Sequence, residues 1–238
     1  MEMKKSKLAL AASIMILAFS QSTLAGDRFQ ASLNFLMGYP QNDFRMNVDR
    51  TFYGLSGEFF YQLPRSPFSI GISLEYLNYG TKKRIEPFSH DIPEVLVEVT
   101  TRNSIFSSAA VLRLSPVEGS FRPYVEAFVG FNYLFTYTSV SDPSDWPPDI
   151  ATTTNFDDWA LTYGVGVGAV IRVLEIRSHQ GRPLFSLQME VGVRYSKSGR
   201  AEYLTEGSIR REHGSLMYEP LMSATDLVKT HFGIVFRF

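Results

Sequence analysis

Along most of this chain, apolar and polar residues alternate at every second position, a pattern that few folds can accommodate. Between residues 29 and 37, Phe29, Ala31, Leu33, Phe35 and Met37 fall on one face, and Gln30, Ser32 and Asn34 on the other. Between 68 and 76, Phe68, Ile70, Ile72, Leu74 and Tyr76 oppose Ser69, Gly71, Ser73 and Glu75. The run 159–173 sets Trp159, Leu161, Tyr163, Val165, Val167, Ala169, Ile171 and Val173 against Thr162, Gly164, Gly166, Gly168 and Arg172. In 185–195, Phe185, Leu187, Met189, Val191, Val193 and Tyr195 face away from Ser186, Gln188, Glu190, Gly192 and Arg194. Successive side chains of a strand point to opposite faces, so each run reads as a β-strand with one greasy side. No helical register fits them.

Four further segments, 51–63, 104–114, 121–137 and 226–238, bring the predicted strands to eight. In 51–63, Tyr53, Leu55, Phe59 and Tyr61 oppose Glu58; in 121–137, Val125, Ala127, Val129, Phe131, Tyr133 and Phe135 oppose Glu126, Gly130 and Asn132. The pair Ala109-Ala110 blurs the phase of 104–114; an apolar face of Phe106, Ala110, Leu112 and Leu114 puts Arg113 on the polar side. The connections run long (about 39–50), short (64–67), long (81–94 or beyond), short (115–120), long (138–158), short (175–183) and long (197–225). This alternation is that of an up-and-down antiparallel barrel with short turns at one end and long loops at the other. Pro64, Pro67, Pro116 and Pro123 fall at or beside short turns, where a missing ladder donor does little harm.

The first 25 residues read as an export signal: Lys4, Lys5 and Lys7, an apolar run from Leu8 to Phe19, then small residues ending at Ala25. The apolar run is shorter than the ~20 residues a spanning helix needs. Cleavage after Ala25 leaves a single domain, 26–238, with 20 basic and 23 acidic side chains. That balance gives no basic excess for a nucleic-acid partner. The chain has no cysteine, which excludes disulfides, thiolate metal sites and a cysteine nucleophile.

Alternation alone does not say which face is inside; a soluble barrel would bury the apolar one. Here the polar face is rich in Gly and Ser, which suits a narrow interior. The aromatic residues also fall at two levels. Tyr39, Tyr53, Tyr76, Tyr133, Trp159 and Tyr195 gather towards the long-loop end, and Phe29, Tyr61, Phe68, Phe121, Phe185 and Phe238 towards the other. Two such belts are expected where strands cross the headgroup levels of a membrane. With the apolar face outward, Glu58, Glu75, Glu126 and Glu190 point into the lumen, as do Arg113, Arg122, Arg172, Arg194, Lys229 and Arg237. Isolated buried charges are costly, so these should pair. They are compatible with a polar conduit or ligand cavity and with a plug of ion pairs; an eight-stranded interior, about filled by side chains, favours the plug.

The last strand closes on Phe232, Ile234, Phe236 and Phe238. A terminal Phe with apolar residues at every second preceding position resembles the assembly signal of bacterial outer-membrane proteins. Over residues 26–238 the chain resembles the small outer-membrane β-barrel superfamily that includes the OmpA transmembrane domain and OmpX-like and OmpW-like proteins. No motif selects one subfamily. The resemblance implies a closed, eight-stranded transmembrane barrel in the outer membrane of a Gram-negative bacterium. Its implied partners are outer-membrane lipid, lipopolysaccharide and, through the C-terminal strand, the barrel assembly machinery. No peptidoglycan-binding domain of the OmpA type is expected after the barrel.

The sequence carries no phosphate loop, zinc-binding helix or nucleophile elbow, and no cofactor is expected. His90, His179, His213 and His231 are too dispersed to propose a metal site. His213-Gly214-Ser215, with Glu219 nearby, resembles the His-Xaa-Ser pairing of outer-membrane lipid A deacylases, in which His activates Ser and an acid orients the His. Here the triplet falls in a long loop, and the acid spacing departs from that family. Asp142, Asp145, Asp149, Asp157 and Asp158 surround Trp146-Pro147-Pro148 in another loop, without the Gly and Glu of an EF-hand. Arg200, Arg210 and Arg211 form a basic loop suited to lipopolysaccharide phosphates. The leading expectation is a non-enzymatic barrel with a structural or surface-interaction role, with passage of small hydrophobic solutes as a variant. The alternatives are a lipid-modifying enzyme and an adhesin acting through its outer loops.

Overall fold

The computed structural model describes residues 28–87, 96–141, 149–177, 183–206, 208–212 and 215–238; the expected export signal, residues 1–25, lies outside them. Eight strands form the barrel: β1 (Phe29–Pro40), β2 (Phe52–Gln62), β3 (Phe68–Pro87), β4 (Leu96–Leu114), β5 (Phe121–Ser141), β6 (Asp149–Arg177), β7 (Pro183–Ser198) and β12 (Leu227–Arg237). Between β7 and β12 run four short strands: β8 (Arg200–Tyr203), β9 (Ile209–Glu212), β10 (Ser215–Tyr218) and β11 (Leu221–Ala224). One short helix, α1 (Asn42–Asn47), follows β1.

Each barrel strand pairs antiparallel with its sequence neighbour, and β12 returns to β1 to close the ring. The seam runs in register from Gln30 opposite Arg237 to Pro40 opposite Leu227. At its end Phe29 and Phe238 exchange both backbone bonds, each N–H donating to the other's carbonyl at 2.9 Å. A closed ring leaves no unpaired edge, the condition for strands to lie in hydrocarbon. Among the described residues no helix is long and apolar enough to cross a membrane.

The alternation fixes the two faces. Leu161, Val165, Val129, Met189 and Phe232 are more than half exposed, whereas Ser56, Asn132, Gln188 and Arg194 are buried. From Phe29 to Met37, Tyr53 to Tyr61, Phe68 to Tyr76, Phe106 to Leu114, Phe121 to Phe135, Trp159 to Ile171, Phe185 to Tyr195 and Thr230 to Phe236, the outward positions carry no charge. Contiguous apolar surface on this scale is foreign to soluble monomers. Hydrocarbon covers it.

Four strands are much longer than the alternation alone implies: β3 has 20 residues, β4 19, β5 21 and β6 29. A crossing needs ~9–11. The regions expected as loops at 81–94 and 138–158 are therefore partly ladder, with Thr81 opposite Arg102 and Thr138 opposite Thr153. The physical reason is local. Beyond the apolar band the strands stay rich in β-branched residues, as at Val97, Val99, Thr100 and Thr101 on β4 and at Thr152, Thr153 and Thr154 on β6, and such residues favour a pleated ladder in water as in lipid. The expected loop 197–225 likewise holds two ribbons, β8 with β11 and β9 with β10.

Candidate functional site

The lumen is filled in layers. At its centre Arg113, on β4, lies between two rings, its guanidinium carbon 4.1 Å from the Phe60 centroid and 4.0 Å from that of Tyr124. The rings hold the plane flat while its edges reach Glu58 (3.1 Å), Glu126 (2.9 Å) and Glu190 (3.0 Å). One planar group can serve three carboxylates because it presents five donors in a fixed fork. Towards the long-loop end, Arg194 on β7 bonds Glu58 (2.6 Å), Glu126 (2.5 Å) and Glu75 (3.0 Å). Lys229 on β12 completes the cluster on Glu75 at 2.5 Å.

Every member of this cluster is buried. Tyr124 and His231 extend it: the Tyr124 hydroxyl lies 2.9 Å from His231 Nε2, and that nitrogen lies 3.8 Å from Glu190. Three glycines make the space. A Cβ at Gly168 would stand 2.4 Å from the Tyr124 ring and hydroxyl, at Gly166 2.8 Å from Glu126 Oε1, and at Gly192 2.6 Å from His231. The groove along the Gly164–Gly168 wall is thus filled by side chains from facing strands. Between Glu75, Arg194, Lys229 and Phe128 a gap of about 10 Å³ remains, room for about one water.

The structure brings together Glu58, Glu75, Glu126, Glu190, Arg113, Arg194 and Lys229 from the expected inward set. Three other expected members make contacts outside this cluster. Arg122 donates to Gln188, and Arg237 to the Val117 carbonyl at 3.2 Å. Arg172 pairs with Glu175 and donates to the Gly119 carbonyl at 3.1 Å. The pairing of β6 with β7 slips between Arg172 and Leu174, so the strand turns at the short-turn mouth and carries Arg172 with it.

A second seal closes the long-loop end. Phe44 of α1 is fully buried, its ring 5.6 Å from Phe52, 6.1 Å from Tyr79 and 5.0 Å from Tyr203. Leu36, Leu77, Ile105, Leu134 and Leu227 pack around these rings. Tyr203 comes from β8, which the β8–β11 ribbon folds over the mouth, and its hydroxyl accepts from Asn47 at 2.8 Å and meets Ser223 at 2.7 Å. Asp226 ties the lid down, accepting from Asn42 Nδ2 and from the Ser198 N–H, both at 2.9 Å. This lid goes beyond the polar plug expected from the alternation. Its signal was available: Phe52, Leu77, Ile105 and Leu134 are apolar residues in the inward phase, all at the long-loop end.

The aromatic belts occupy the outer wall. Tyr133 pairs with Trp159 and with Phe106, and Phe106 with Tyr76, in one continuous row. Tyr53, Trp159 and Tyr195 are exposed, and Tyr39 and Tyr133 half-buried. At the other end Phe29 stacks near Tyr61 (5.2 Å) and Phe59 (5.7 Å). Phe238 departs from the expected belt: it is buried, its ring 6.4 Å from that of Phe29, held there by the two-way backbone exchange at the seam. Phe232 and Ile234 face outward on the closing strand, and Phe236 packs 5.9 Å from Phe185.

His213 lies outside the described residues. Ser215 opens β10 opposite Glu212, and the Glu219 N–H donates to the Ser208 carbonyl, so both belong to the outer ribbons, away from the apolar wall. Of the acidic loop, Asp142 and Asp145 fall outside the described residues. Asp158 accepts from the Glu202 N–H at 2.8 Å and so braces β8. Among the described residues no group of His, Asp and Glu is arranged to hold a metal.

Eight strands, a closed ring, a lipid-facing apolar wall and a packed polar lumen are now all in place. This is the architecture of the small outer-membrane β-barrels. No protein-family model matches the sequence, and no curated protein matches it. The chain is similar in structure to Neisserial surface protein A, at 11% identity and a TM-score of 0.43 over 88% of this chain and 95% of that one. It is also similar to Ail, the attachment invasion locus protein of Yersinia pestis (9%, 0.34, 90% and 99%). A third likeness is to the N-terminal β-barrel domain of Pseudomonas aeruginosa OprF (11%, 0.33, 90% and 99%). These are likenesses of overall architecture.

Proposed function

We propose that the protein is a sealed barrel of the bacterial outer membrane that works by surface interaction through the folded half it raises above the lipid. The observation that carries this reading is a lumen closed twice, by ion pairs at its centre and by an aromatic lid above them, beneath strands that continue far past the apolar band. Beyond Tyr76, β3 continues to Pro87; at about 3.3 Å per residue that is roughly 35 Å of ladder. A conduit would not need such a superstructure, and a purely structural barrel could end in short loops. Outer-membrane lipid and lipopolysaccharide meet the apolar wall and its rim in this reading. The Phe232–Phe238 end supplies the pattern that the assembly machinery reads, at the strand that closes the ring.

Trimming the extension tests the proposal. Residues 82–101 are replaced by Asn-Gly between the paired Thr81 and Arg102, and residues 139–152 likewise between the paired Thr138 and Thr153. The trimmed barrel should still assemble in the outer membrane and stay closed in planar bilayers. Cells carrying it should lose the surface binding that the full chain confers, scored against abiotic, glycan and host-matrix surfaces. Stable conductance from the full chain, or unchanged surface binding after trimming, would overturn the reading.

A further inference from the structure

Above the lid the barrel keeps a hollow of about 230 Å³. Asn47 at the end of α1, Arg50 just beyond it, Tyr79 of β3, Asn103 of β4, and Thr205 and Glu206 after β8 converge on it. Two irregularities shape it. The pairing of β3 with β4 passes from Asn78–Ser104 directly to Gly80–Asn103, leaving Tyr79 as the extra residue of a bulge. Such bulges re-aim side chains, here turning the Tyr79 ring into the lid floor with its hydroxyl on the Leu204 carbonyl at 3.1 Å. Next to it, a Cβ on Gly80 would stand 3.0 Å from Asn103 Nδ2 and 3.5 Å from Glu206 Cγ, so this glycine keeps the space open.

The polar groups around the hollow are held in place by partners of their own. Glu206 grips Arg50 through two bonds, at 2.5 and 2.9 Å, and accepts from the Thr81 N–H at 3.1 Å. Asn103 Oδ1 accepts from Thr136 at 2.8 Å, and Asn47 Nδ2 donates to Tyr203. Groups fixed in advance lose little freedom when a ligand arrives. The charges are matched in pairs, Arg50 with Glu206 and Arg45 with Asp49, which disfavours a free anion and a metal ion alike. What the hollow presents is planar amide, carboxylate and guanidinium edges beside the apolar surface of Val48. Those edges suit a neutral ligand with adjacent hydroxyls, each of which both donates and accepts. The volume falls below the ~300–1,000 Å³ of sites for drug-sized ligands, and so suits one small ring.

We infer that this hollow binds a single neutral sugar unit, free or as the end of a glycan chain. The inference deepens the surface-interaction reading and rests on it only for where the ligand comes from; binding by purified protein tests the site by itself. Full-length protein in detergent micelles is titrated by calorimetry and by saturation-transfer resonance. The probes are glucose, galactose, mannose and N-acetylglucosamine, the same sugars as oligosaccharide ends, and glucose 6-phosphate. At least one neutral sugar should bind saturably in roughly the millimolar range or tighter. Gly80→Leu, which fills the hollow, and Asn103→Ala, which removes an edge, should each weaken that binding about tenfold or more. Met46→Ala, on the solvent side of α1, should leave it unchanged. Tighter binding of oligosaccharide ends assigns a glycan source, and equal or weaker binding a free sugar. No saturable neutral binding, binding of the phosphate ester alone, or full binding in both folded hollow variants would overturn the inference. If Gly80→Leu fails to fold, Asn103→Ala alone decides.

Discussion

Arg194→Met should weaken the barrel more than a swap of one apolar side chain for another on its lipid-facing wall. Arg194 is buried and touches three carboxylates, Glu58, Glu75 and Glu126. Removing one partner of a buried ion pair typically costs ~3–5 kcal/mol, because the remaining charge has neither water nor a counter-ion. Here each orphaned carboxylate keeps a second cation: Arg113 still reaches Glu58 and Glu126, and Lys229 still reaches Glu75. The loss should therefore lie at the lower end, about 3 kcal/mol, or roughly a hundredfold in the folding equilibrium. Urea titration of protein refolded into vesicles measures it, following tryptophan emission and heat-modifiable gel mobility; Trp159, 64% exposed on the outer wall, reports insertion. Adding Glu126→Gln removes one unmatched charge and should restore about 1–2 kcal/mol. A single variant within ~0.5 kcal/mol of the parent, the range of neutral surface changes, would refute a lumen held by these pairs. So would a double variant no more stable than the single.

Gly168→Val places a methyl-bearing carbon against Tyr124 and should cost at least ~1–3 kcal/mol in the same titration; Tyr124→Ala in the same chain should recover part of it. Phe44→Ala empties the centre of the lid, a change of ~3–5 kcal/mol for a large buried ring. Hydrogen exchange should rise in α1 and β8 while planar bilayers stay silent, because the ion cluster below still seals the lumen. On the β3–β4 extension, the Lys83 ammonium bonded to Glu98 at 2.7 Å holds that carboxyl below the usual carboxylate range. Its contribution is therefore present above the unfolded pKa and lost as pH falls through the folded one. Acid should raise exchange near Glu98, and Lys83→Met should weaken that dependence, leaving the smaller part held by the Thr100 hydroxyl and the Arg102 charge, without altering the transmembrane ladder.

Strand identity and facing were legible because they are local. A side chain two residues along lies on the same face whatever the rest of the chain does, so Leu161, Val165 and Ile171 could be placed outward from sequence alone. Within the lumen the same rule gave direction but not partners. Arg113 and Arg194 share a phase with Arg122 and Arg237, yet the first two meet the central acids, while Arg122 donates to Gln188 and Arg237 to the Val117 carbonyl. Which Arg meets which Glu depends on height along the barrel, and height is set by register and tilt. The bulges at Tyr79 and between Arg172 and Leu174 shift that register by one residue, and nothing in the flanking sequence announces them. The lid was hidden for a related reason. Phe44 and Tyr203 are separated by more than a hundred and fifty residues, in segments that read as loop, and meet only once the ring has closed.

The sequence by itself therefore determined a strand-built wall with a greasy outside and a polar inside, because alternation, turn spacing and the cost of exposed amides act over a few residues at a time. Only the tertiary structure decided that the inside is stoppered twice, which charges join the central cluster, and where the hollow above the lid lies. Those features depend on distances across the barrel, which exist only after β12 has found β1.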